Sequence, residues 1–147
     1  MLDKTNGGFL VTMVKQFQGR VFARLLVDHG ISQFNGAQGR ILFVLWNEDG
    51  IPVTELSART GLAKTTLTSM LDRMEAAGHV QRIADGNDRR KVRIQLTSVA
   101  RTLRSQYESV SKQMSEVFYH GFSDDEIIAF ERSLTRIVDN LTVKENE

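Results

Sequence analysis

Between Pro52 and Thr97 the chain reads as a short segment closed by Gly61, a longer one closed by Gly78, and a charged hairpin. No other stretch narrows the possible folds as much. A short helix, a glycine turn and a second helix are the order a helix-turn-helix requires, with the second helix built to enter a DNA groove. At 100° per residue, Leu67, Met70, Leu71 and Met74 form one apolar stripe on that helix. Thr65, Thr68, Ser69, Asp72, Arg73 and Ala76 then face away from it. Short hydroxyl side chains let a helix backbone come close to base edges, where Thr and Ser donate, accept, or set a methyl against thymine. Thr65, Thr66, Thr68 and Ser69 are therefore candidate base contacts, and Lys64 and Arg73 candidate phosphate contacts. A plain solvated helix face would share this composition, so the segment that follows has to decide.

That segment alternates as strands do. Val80, Arg82 and Ala84 interleave with Gln81, Ile83 and Asp85, and Val92, Ile94 and Leu96 with Arg93, Gln95 and Thr97. Gly86-Asn87 supplies a turn able to hold positive φ. Arg89, Arg90 and Lys91 are thereby carried to an exposed tip, placed to enter a minor groove or clamp phosphate. Asp88 would repel phosphate, so its expected role is to pair with one of those arginines and fix its direction. An ordinary charged hairpin turn remains the alternative.

At these residues the chain resembles the MarR family of winged-helix transcription regulators. Asp72-Arg73-Met74-Glu75, Gly78-x-Val80 and Arg82 fall at that family's spacing, as do Asp88-Arg89-Arg90 and Ile94-x-Leu96-Thr97. Ala100 departs from the usual glycine after the threonine that opens the next helix, a change that favours the helix. The resemblance implies a homodimer on a pseudo-palindromic operator, with Arg90 as the wing arginine, often answering to a small molecule. It also implies that effectors enter the crevice between dimer helices and reader. There Phe17, Phe22, Phe34, Phe43 and Trp46 would give a lining for an aromatic or hydrophobic molecule, although aromatics at helical spacing also serve as plain core.

Net charge of +1 conceals a segregation. Residues 1–53 carry five Lys/Arg against four acids, residues 54–104 ten against five, and residues 105–147 four against nine. Basic excess on the reader and acidic excess on the tail direct the reader toward phosphate. With no cysteine, the chain has no disulfide, thiolate metal site or thiol redox switch. The apolar run from Phe9 to Val14 is too short for a signal peptide or membrane span, so a cytoplasmic protein without a membrane partner is expected.

The rest reads as helices. Leu10, Val14, Phe17, Val21 and Leu25 mark one, ending near Asp28-His29-Gly30, and Ile41 to Trp46 mark another, stopped by Asn47 to Gly50. Thr97 can cap a single helix running through Leu103, Tyr107, Val110, Met114 and Val117 to Gly121. Ser123-Asp-Asp-Glu126 is a capping box opening the last helix, with Ile127, Phe130, Leu134, Ile137, Val138 and Leu141 on one side. Long terminal helices exceed what a small reader can cover, so packing against a second copy is expected, with an intramolecular bundle as alternative.

Catalysis finds little support. His29, His79 and His120 are scattered, which leaves a histidine metal sensor as a minor alternative, and Gly36 and Gly39 make no nucleotide fingerprint. Neither a cofactor nor a metal is expected. The reading is a mainly α chain with a small β-hairpin, an α+β winged helix-turn-helix, forming one domain over 1–147. Residues 32–97 would bind DNA, and 1–31 and 98–147 would dimerise. The function expected is a sequence-specific regulator of the repressor type. Its rival is a winged helix that docks an acidic protein.

Overall fold

The computed structural model describes residues 1–34 and 36–147. They fall into two compact units, Met1–Met114 and Ser115–Glu147.

The first unit begins with α1 (Gly7–Asp28), which buries only Leu26 and leaves Phe9, Leu10, Val11, Val14 and Phe17 exposed. A 3-10 turn, Ser32–Phe34, leads to α2 (Ala37–Asn47). Ile41, Leu42, Val44, Leu45 and Trp46 of α2 are all buried, making it the central helix of this unit. The turn at Gly50 (φ 71°) leads into β1 (Ile51–Pro52), α3 (Val53–Thr60) and α4 (Lys64–Ala76). Left-handed Gly61 (φ 69°) ends α3 as a C-terminal glycine should. On α4, Leu67, Leu71 and Met74 are buried and Met70 half-buried, so the apolar stripe faces inward as its spacing predicts.

After α4 come β2 (Val80–Ala84) and β3 (Val92–Leu96), antiparallel, with Arg82 opposite Ile94. The sheet has three strands rather than the two expected, in the order β1-β3-β2. Two-residue β1 pairs Ile51 with Ile94 and Pro52 with Arg93, and is too short to show any alternation in sequence. Proline is tolerated there because β1 is an edge strand whose missing N–H faces no partner.

Two expectations need correction. The wing turn uses no positive φ at Gly86 or Asn87. It is held instead by side chains: the Asn87 N–H donates to Asp85 Oδ1 (2.9 Å) and the Arg90 N–H to Asp88 Oδ1 (2.9 Å). Aspartates that accept from the backbone two residues on make such turns without glycine geometry. The helix after the hairpin is also not continuous. Thr97 caps α5 (Ser98–Thr102), Leu103 interrupts, and α6 (Arg104–Phe118) follows. The cause lies at the Ala100 carbonyl, which accepts the Leu103 N–H (3.2 Å) and the Trp46 indole N–H (3.3 Å). Those bonds tighten the helix locally and break its ladder.

In the second unit the Ser123 hydroxyl accepts from Glu126 N (3.2 Å) and Glu126 Oε1 from Ser123 N (3.0 Å), the expected capping box. It opens α7 (Asp124–Glu145), which buries none of its residues. Phe118, Tyr119, Phe122 and Phe130 pack edge-on or tilted beside the turn. No helix among the described residues is long and apolar enough to cross a membrane.

His79 joins α4 to the sheet. Its N–H donates to Met74 O (2.9 Å) and its carbonyl accepts from Thr97 N (3.0 Å). The residue is 9% exposed, and its ring stands edge-on to Phe34 at 5.0 Å with no partner for Nδ1 among the described residues. Burial holds the imidazole below its ordinary value and so favours its neutral form in the folded chain. The unfolded chain takes up a proton near pH 6.5 and the folded chain only at lower pH, so stability falls as pH drops below 6.5. Urea midpoints measured downward from about pH 7 should show this loss. His79→Leu should remove it; an unchanged pH profile in that variant refutes the assignment.

Candidate nucleic-acid interface

The outer face of α4 carries Lys64, Thr65, Thr66, Thr68, Ser69, Asp72 and Arg73, all exposed. Thr68 donates its hydroxyl to Lys64 O (2.9 Å). Lys64, Thr65, Thr68, Ser69 and Asp72 line one open depression. Lys64 and Thr68 also border a second, of about 290 Å³, with Thr54, Arg82, Arg90 and Lys91. The fold thus brings two of the expected wing cations beside the expected reader. Thr66, Arg73 and Arg89 are exposed but lie outside both depressions, and Asp88 is half-buried within the turn.

Charge pairing divides the basic residues sharply. Of the ten in residues 54–104, Arg59, Arg82, Arg93, Arg101 and Arg104 are engaged with carboxylates. Lys64, Arg73, Arg89, Arg90 and Lys91, the five on the reader face and wing tip, form no ion pair among the described residues. A compact surface that leaves its cations unpaired keeps their charge available for phosphate.

Asp88 does not pair with an arginine guanidinium; its carboxylate holds the Arg90 backbone. Orientation of the tip therefore acts through the main chain. Asp72, Glu75, Arg82, Asp85 and Arg93 also build the site and were not among the candidate contacts. Arg82 donates to Glu75 Oε1 (2.9 Å) and Asp72 Oδ1 (2.7 Å), fastening β2 to α4. The Arg82 backbone N–H and then its guanidinium hold the Glu75 carboxyl below its usual range. Asp85, 8% exposed, is likewise lowered, first by the Asn87 N–H and then by Arg93. Only the hairpin register could have revealed the Asp85–Arg93 pair, since it places Arg93 opposite Ile83, two residues before Asp85.

The five aromatic candidates do not form one lining. Phe34 is fully buried and offers no surface to a ligand. Phe22 stands edge-on to Tyr107 at 5.8 Å, and Phe17 is 55% exposed beneath the Arg20 guanidinium. Phe43 and Trp46 do share a cavity, of about 110 Å³, with Arg104 and Tyr107. Burial pushes the Tyr107 phenol up to about 12, so it stays a neutral donor. No group of His, Asp and Glu among the described residues could hold a metal ion.

A helix-turn-helix, a three-stranded wing and unpaired cations on both define a winged-helix regulator. A sequence model described as MarR family matches residues 34–92. The chain is 40% identical over 90 residues to the HTH-type transcriptional regulator TtmR of Methylorubrum extorquens, covering 61% of this chain and 45% of that protein. It is 30% identical over 100 residues to the HTH-type transcriptional regulator SarZ of Staphylococcus haemolyticus, covering 68% of this chain and 67% of that one. The chain thus spans less than half the length of TtmR and about two thirds of SarZ. Among solved structures, a cysteine-to-serine mutant of Escherichia coli MarR complexed with operator DNA superposes with TM-score 0.78 at 26% identity, over 92% of this chain and 99% of that one. The chain belongs to the MarR family, whose members are transcription regulators and not enzymes.

Proposed function

We propose that the protein is a cytoplasmic, sequence-specific DNA-binding repressor that acts as a homodimer on a pseudo-palindromic operator. The observation that carries this reading is that, of the ten cations in residues 54–104, the five without an ion pair all lie on the outer face of α4 or at the wing tip. Thr65, Thr68 and Ser69 read base edges in the major groove, while Lys64 and Arg73 hold phosphate. Arg89, Arg90 and Lys91 meet the adjacent minor groove or its backbone. The uncovered apolar residues of α1 and of α7 support pairing with a second copy. Residues 32–97 then serve as the reader, and 1–31 and 98–147 as the dimerising part. An aromatic acid fitting beside Phe43, Trp46 and Arg104 would release DNA if it favoured a dimer with its readers wrongly spaced.

Selection of bound fragments from genomic DNA, followed by salt titration, tests the reading. A palindromic site and a steep loss of affinity with salt are expected; a shallow slope with no site preference would leave the acidic-protein docking module instead. Arg90→Ala should weaken operator binding by about 1–3 kcal/mol with the fold intact. Asp88→Ala should weaken it too, although a negative charge is removed, because the Arg90 backbone loses its acceptor. Tighter binding by Asp88→Ala, measured by fluorescence anisotropy, would exclude the orienting role.

A further inference from the structure

We infer that Arg93 is a positioning residue for the wing: by joining Asp85 at the wing's base to the Gly50 carbonyl ahead of β1, it fixes how Arg89, Arg90 and Lys91 meet DNA. The inference rests on the DNA-binding function proposed above.

Arg93 Nε donates to Asp85 Oδ2 (3.1 Å) and Nη1 to Gly50 O (2.8 Å). One planar guanidinium thus spans from the turn after α2 to the first residue beyond β2. Both ends are themselves held. Asp85 is buried, accepts the Asn87 N–H, and donates its own N–H to Lys91 O (3.0 Å), closing the loop that carries the cations. At the other end, Asp49 accepts the Leu96 N–H (2.9 Å) and pairs with Arg101 (2.8 Å), so the Gly50 turn is tied to β3 and α5. Without the Arg93 side chain the loop would keep its internal bonds, and β2 its tie to α4 through Arg82, but the base of the loop would lose its direct tie to the turn ahead of β1. A two-stranded ribbon twists easily, and small changes in its angle displace its tip furthest. Lysine cannot reproduce the bridge, because a point charge does not span two acceptors as a planar fork does.

Direct phosphate contact by half-exposed Arg93 is the competing account, and Asp85 separates the two. Hydroxyl-radical footprints and selection from randomised duplexes would be compared for the full-length wild type, Arg93→Ala, Arg93→Lys and Asp85→Ala. Arg93→Ala should lose protection and base preference in the minor-groove flanks, weakening binding about tenfold, while the major-groove preference set by α4 persists. Asp85→Ala, which also loses the acceptor of the Asn87 N–H, should show at least the same flank loss despite removal of an anion, and the double variant should be no worse than Asp85→Ala alone. Arg93→Lys should be intermediate, which keeps the test available if the alanine variants unfold. Tighter binding by Asp85→Ala, equal loss over core and flanks, or unchanged flanks in every variant would overturn the proposal. A wild type with no footprint or preference would instead refute the DNA-binding function itself.

Discussion

Removal of residues 123–147 is expected to convert a dimer into a folded monomer and to cost about 10²–10⁴-fold in operator affinity. The segment deleted is α7 with its cap, and no residue from 115 to 147 is buried in the protomer. The last buried side chain in the chain is Met114, so the core of the first unit stays complete after the deletion. Meanwhile Ile128, Ile137, Val138, Leu141 and Val143 are between 46% and 65% exposed, more apolar surface than one amphipathic helix leaves in water without a partner. On the proposed arrangement two readers must sit about 34 Å apart on one face of B-DNA, and a single reader forgoes the second half-site. Sedimentation equilibrium and operator titration check both halves of the expectation. A truncated monomer that binds the full operator as tightly as the intact chain would refute the dimeric mode.

Gly39→Ala is expected to destabilise the first unit by about 3 kcal/mol, a fall in melting temperature of about 10 °C. A Cβ there would lie 2.2 Å from the Phe34 carbonyl oxygen and 2.8 Å from the Tyr107 hydroxyl. The first obstacle is backbone and cannot rotate away. The second belongs to a ring already fixed against Phe22 and Trp46. Gly19→Ala provides the opposite case, since Gly19 lies within α1 and its Cβ would meet nothing within 4 Å. There alanine should stabilise by about 0.5–1 kcal/mol through helix propensity. Denaturant unfolding of both variants gives the two signs, and equal effects would mean that Gly39 is not sterically required.

Gly39 also shows why some of the site was hidden. In sequence it is one glycine among several that fail to make a nucleotide motif; its reasons are the Phe34 carbonyl folded back onto it and the hydroxyl of Tyr107, 68 positions away along the chain. Periodicity gave α4 its buried stripe, and local capping chemistry marked Thr97, Ser123 and Gly61, because those bonds close within a few residues. The exposed outer face of α4 and the charged wing tip were legible for the same reason: composition, alternation and spacing are local.

Long-range contacts decided the rest. β1 exists because Ile51 finds Ile94, not because two residues prefer to be extended. The break at Leu103 follows from an indole more than fifty positions earlier claiming the Ala100 carbonyl. Of the ten basic residues in 54–104, sequence could not say which five would be paired, since Arg93 and Asp85, or Arg82 and Asp72, meet only across the folded sheet and helix. Local pattern therefore determined the class of fold and the elements that carry the site. Tertiary packing determined which side chains are spent on holding it and which remain free to meet a partner, because that division depends on distances that chain spacing does not encode.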